Sequence, residues 1–158
     1  MKGHPLHPAL VHFPLACWVL ATLVDVISQF VLLPSVSGAT WAALSHLLLW
    51  GGVVIALPAM IAGLVDYARL DHEVQECAEL MWHILVMGTA WAIFLGAAIW
   101  RVRAAPFDSP ASWPVTMLEL LGSVLLVVGG YLASIIVFDR IPKAKAASYA
   151  EPDQETKQ

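Results

Sequence analysis

Residues 117–138 read MLELLGSVLLVVGGYLASIIVF. Glu119 is the only charged side chain in this stretch of 22 residues. Coiled as an α-helix the stretch is about 33 Å long, enough to cross the roughly 30 Å hydrocarbon core of a bilayer. Working outward, three similar runs precede it: Ala9–Leu33, Trp41–Val65 and Leu80–Trp100. A backbone crossing lipid must satisfy its own hydrogen bonds, so these runs read as helices and not as open strands. Composition agrees. Hydrophobic residues make up 59% of the 158-residue chain and charged residues 13%, too few polar groups to cover a soluble fold of this size.

The links between the runs are short. Pro34–Thr40 carries Pro, Ser and Gly, Asp66–Glu79 is polar, and Arg101–Thr116 contains Pro106, Pro110 and Pro114. Short links make consecutive helices antiparallel neighbours. The sequence therefore predicts an all-α integral membrane protein, an up-down-up-down four-helix bundle over residues 1–140. A polar tail, 141–158, is expected to be disordered. The first run is too long for the apolar core of a signal peptide and carries His12, Asp25 and Gln29, so it reads as a span. Small residues mark the expected helix contacts: Gly51, Gly52, Ala56, Ala59 and Gly63 in the second span, and Gly122, Gly129, Gly130, Ala133 and Ser134 in the fourth. Pro58 is expected to kink the second span.

Four crossings put both termini and the 66–79 link on one side. That side carries Lys2, Arg69, Arg140, Lys143 and Lys145 near the spans, against Arg101 and Arg103 on the other. The positive-inside rule then makes both termini cytoplasmic. The net charge of −4 comes mostly from the tail. With no basic stripe, nucleic-acid binding has no support. Cys17 and Cys77 form no C-x-x-C pair, and neither belongs to a disulfide framework. No nucleophile–base set and no glycine-rich phosphate loop is present.

Ionisable groups inside a membrane need a partner or a purpose. On the terminal side these are His4, His7, His12, Asp66, His72 and His83; on the other, Asp25, His46 and Glu119. His12 and His83 each lie three residues inside a span that starts from the terminal side, so their depths match. Facing inward from diagonal helices, two imidazoles could ligate one b-type haem, a group that helix-bundle cores readily hold. Phe13, Leu15, Met87, Gly88 and Trp91 would be its surroundings. Asp66 would sit behind the ligands and orient an imidazole. The plainer reading has the histidines bonding a neighbour or a carbonyl. His4, His7, His12, Asp66 and His83 could instead hold zinc or copper. His7 could also simply cap the first helix, with Pro8 at its first position. Asp25 and Glu119 lie near span ends, where they are expected to meet water. His46 and Glu119 are expected to make structural hydrogen bonds in preference to a proton path. With His46 the only histidine on its side, a second bis-histidine haem is not available.

The opening segment, His7-Pro8-x-x-Val11-His12-Phe13-Pro14, resembles the hallmark of a bacterial membrane family, domain of unknown function 2231. Gly63 and Asp66, which close the second run, and His83, early in the third, match weaker features of the same family. The resemblance covers about residues 4–138 and implies a four-helix protein of the bacterial inner membrane. Members of this kind are often linked with redox or cytochrome proteins. The expectation is then an electron carrier with one haem, acting with quinone or a membrane redox complex, alone or as a homo-oligomer. A metal-binding or transport-associated protein, or a structural subunit of a larger membrane complex, are the alternatives.

Overall fold

The computed structural model describes residues 6–30, 38–70, 72–75, 77–104, 106–143 and 146. Five α-helices follow in order: α1 (Leu6–Phe30), α2 (Gly38–Tyr67), the one-turn α3 (His72–Gln75), α4 (Ala78–Ala104) and α5 (Trp113–Ile135). A π-helical turn, Ile136–Arg140, prolongs α5. Among the described residues there is no strand. Four of the helices are long and apolar enough to cross a membrane, spanning His7–Phe30, Ala39–Tyr67, Ala78–Ala104 and Trp113–Lys143. Each extends beyond the sequence-based span at one or both ends, because polar residues such as Arg101 continue the helix instead of ending it.

The helices close a ring. α1 packs on α2 and α5, and α4 packs on α5 and α2, so α1 and α4 lie diagonally across the bundle. Glycine sets the closest approaches. A Cβ on Gly52 of α2 would come within 2.5 Å of the Trp18 indole of α1, and one on Gly122 of α5 within 2.7 Å of the Phe94 ring of α4. Gly63 faces His7 in the same way, and Gly129 faces Met87. Gly51 and Gly130 have open space beside them, so they are not contact residues, contrary to expectation. Trp18 and Phe94 meet at mid-bundle, with ring centroids 4.6 Å apart and planes 3° from parallel. Both rings are essentially fully buried, and they bridge the diagonal that the backbones leave open.

Outside, the bundle is greasy. Leu20, Leu23, Leu47, Val54, Ile61, Leu85, Val124 and Val127 are all exposed. An apolar exterior around a partly polar interior reverses the soluble pattern and suits a lipid surround. The 66–79 link also holds structure the sequence did not suggest. Val74, Leu80 and Ile136 form a small separate core there. The Gln75 amide donates to the Tyr67 and Leu70 carbonyls (3.1 and 3.0 Å), satisfying carbonyls freed at the end of α2. Arg140 pairs with Glu79, tying the π-turn to the start of α4. Pro58 lies within an unbroken α2. The expected disorder of the tail falls almost wholly on residues outside the described ones, as do Lys2, His4, Lys145 and residues 34–37 of the first link.

Candidate functional site

Three polar pairs run along the seam between α1 and α5. Thr22 lies 3.2 Å from Ser123 through their hydroxyls. The Gln29 amide donates to the Thr116 hydroxyl at 3.1 Å. Between these pairs, Asp25 and Glu119 bring their carboxyls within hydrogen-bonding reach of each other. Positions 22, 25 and 29 share one face of α1, and 116, 119 and 123 share one face of α5, as helical spacing requires. The helices run antiparallel, so the two faces meet in register.

The central pair is the core of a buried charged cluster. Arg101 reaches it from α4: one guanidinium nitrogen donates to Asp25 Oδ2 at 2.5 Å and to the Ser45 hydroxyl at 2.8 Å. The other donates to the Ala42 carbonyl at 3.0 Å. α2 adds His46, whose ring packs at 4.3 Å on Phe107 of the α4–α5 connection. Asp25, Ser45, His46, Arg101 and Glu119 are all 2% exposed or less. The cluster is nevertheless incompletely bonded. Asp25 Oδ1, both Glu119 carboxyl oxygens, His46 Nδ1 and Arg101 Nε are buried and, with both carboxyls ionised, make no hydrogen bond. Each of the four long helices thus supplies one ionisable side chain to one buried site.

These findings correct two expectations. Asp25 and Glu119 do not meet water at the span ends; they face each other inside the bundle. Arg101 is not a loop charge. α4 continues past it to Ala104, which turns its side chain inward. Sequence reasoning missed Arg101 as a site residue. The available signal was helical spacing: Ala90, Phe94, Ala97, Ala98 and Arg101 are all buried and lie on one face of α4.

The opposite end of the bundle holds histidines. His7, in the first turn of α1, donates through Nδ1 to the Ala59 carbonyl of α2 at 2.7 Å. His83 of α4 donates through Nδ1 to the Gly129 carbonyl of α5 at 2.9 Å. A carbonyl can only accept, so both rings carry a proton on Nδ1, which leaves Nε2 as the nitrogen that would offer a lone pair to a ligand in the neutral ring. The two imidazoles are near enough to act on each other electrostatically. Asp66 approaches the backbone N–H of His7 (3.4 Å) and pairs loosely with Arg69 (3.8 Å). It therefore stands at the N-terminus of α1, where a carboxylate suits the unpaired N–H groups and the helix dipole. The carbonyls of Ala59 and Gly129, not Asp66, orient the rings.

His12 is turned outward and exposed on α1, and Phe13 beside it is 61% exposed. The structure does not bring His12 to His83; the α1 imidazole at that end of the bundle is His7. The described part of α1 already includes Leu6, so His7 lies inside the helix and is not its cap. Among the described residues no three His, Cys, Asp or Glu side chains are gathered as a metal would need. His4 and the side chain of His72 lie outside the described residues. Cys17 and Cys77 are both free thiols.

The family described as "Predicted membrane protein (DUF2231)" matches residues 3–140. The match spans all four long helices, and the chain belongs to this family. No curated protein and no solved structure matches it significantly.

Proposed function

We propose that this DUF2231 membrane protein is a small redox carrier that takes one b-type haem, which His83 of α4 and His7 of α1 would hold. The observation that carries the reading is the matched state of the two rings. Each is anchored through Nδ1 to a backbone carbonyl, the arrangement by which proteins hold an imidazole for iron or another metal at Nε2. They come from diagonal helices, so a planar group between them would lie within the bundle. Two protein ligands suffice for a bis-histidine haem, whereas a structural zinc site takes four. The haem would supply a one-electron couple. The chain's part is to orient the rings and to surround the group with apolar side chains such as Met87 and Trp91. Such a protein passes electrons, to or from quinone or a membrane redox complex, and need not be an enzyme.

Orientation belongs to the same proposal. With Arg101 inside the bundle, Arg103 is the one basic residue left on the α4–α5 connection, against five on the terminal side. That asymmetry supports cytoplasmic termini in a bacterial inner membrane. A zinc or copper site is the second reading; it would need Asp66, now at the His7 backbone N–H, to turn toward the two rings as a further ligand.

The test is a reduced-minus-oxidised visible spectrum of protein purified in mild detergent from haem-replete cells. A bis-histidine haem gives a Soret shift and a sharp α-band, lost in both His83→Ala and His7→Ala and kept in His12→Ala. Loss in His12→Ala with retention in His7→Ala would move the α1 ligand to His12. A flat spectrum sinks the haem reading. Metal analysis of the same sample then separates a zinc or copper site from a purely structural subunit.

A further inference from the structure

The polar seam at the other end of the bundle has no part in holding a haem. Its inventory is unusual for a buried interior: two carboxyls in contact, one guanidinium and one imidazole. The facing groups come from every long helix, namely Asp25 of α1, His46 of α2, Arg101 of α4 and Glu119 of α5. Arg101 bonds only Asp25 of the two carboxyls. Glu119 is fully buried, with neither oxygen bonded to a donor. If both carboxyls were ionised, one negative charge would stand uncompensated where water cannot reach it. Two carboxylates in contact also repel each other strongly. One proton between Asp25 Oδ1 and Glu119 removes both costs. It makes the contact a hydrogen bond and leaves the single charge on the side that Arg101 neutralises.

We propose that the Asp25–Glu119 pair is a proton-exchange site, holding one proton inside the membrane and trading it with the compartment that the α4–α5 connection faces. A route leads outward. His46 is 1% exposed with Nδ1 unbonded, and it lies within electrostatic range of Asp25 and Arg101. Its ring is capped by Phe107, which is itself 49% exposed. A proton leaving the carboxyl pair is taken up by the imidazole and passed to water when Phe107 swings aside; uptake reverses these steps. Other described contacts at this end are hydrogen-bonded. Gln29 donates to the Ala111 carbonyl at 2.8 Å, and Arg101 reaches the Ser109 carbonyl at 3.4 Å. Among the described residues, Phe107 is therefore a cover that can move without breaking a hydrogen bond to the cluster.

The test is infrared spectroscopy of the full chain in lipid vesicles at neutral pH, before and after transfer to deuterated buffer. The wild type is expected to show a protonated-carboxyl C=O band that shifts down in D2O within minutes to hours. Glu119→Gln removes the band. Phe107→Ala speeds the shift about tenfold, and His46→Phe slows it by a similar factor. Absence of a protonated-carboxyl band in the wild type overturns the proposal without recourse to any variant. A band that never shifts in D2O also overturns it, leaving a sealed structural contact. An exchange rate unchanged in both Phe107→Ala and His46→Phe removes the route.

Discussion

Arg101 is the residue whose role changes most between the sequence and the fold. In sequence it opens the proline-bearing link after an apolar run, where an arginine ordinarily meets water. In the structure it is 2% exposed and bonded to α1 and α2 at once. Its partners lie 76 and 56 residues away, and no local pattern announces a pairing at that range. A buried ion pair broken on one side leaves a bare charge, a loss of about 3–5 kcal/mol. Arg101→Leu should lower unfolding stability in detergent by that order. Asp25→Asn combined with Arg101→Leu should be milder than the sum of the two single changes, and a double-mutant cycle in denaturant measures the difference. Strict additivity would mean that the pair is not coupled. The histidines were only half legible. Their presence and end of the bundle could be read, but which one faces inward depends on the rotation of α1, which only packing against α2 and α5 settles.

At the scale of the helices, the sequence told more. Four apolar runs of membrane length could only become helices, and their order and antiparallel pairing followed from the short links. Small residues correctly marked α2 and α5 as the helices that accept close neighbours. They could not distinguish Gly52 from Gly51, or Gly129 from Gly130, because adjacent glycines point to different faces and the rotation of each helix is settled by packing. The distinction can be measured. Gly122→Leu would drive side-chain atoms into Phe94 and should destabilise the bundle by about 1–3 kcal/mol. Gly130→Ala has open space beside it and should leave the melting temperature unchanged or slightly raised. Equal damage from both would mean that α5 is rotated from the orientation described. The short α3 was not legible at all. It is a single turn, and its value lies in Gln75, which caps the carbonyls at the end of a different helix.

The molecule as a whole presents apolar side chains outward on all four long helices, and among the described residues the charged ones lie at the ends or locked inside. It should stay in the membrane fraction through alkaline carbonate and come out only with detergent. Its orientation is open to a direct check. Cys77 is partly exposed beside the start of α4. In a Cys17→Ser background it should react with an impermeant maleimide only after the cytoplasmic face is opened, and labelling of intact cells would reverse the orientation. His7 and Asp25 stand 18 positions apart on α1, about 27 Å along the axis, and the stacked rings of Trp18 and Phe94 lie between them. That layer acts as an insulator. Its unbonded polar atom is the Trp18 indole N–H, a single donor that cannot by itself hold a file of water across the layer, so apolar rings separate the two polar ends of the bundle. A change of charge at one end could then reach the other only as a field, and the bundle can host ionisable groups at both ends without short-circuiting the membrane.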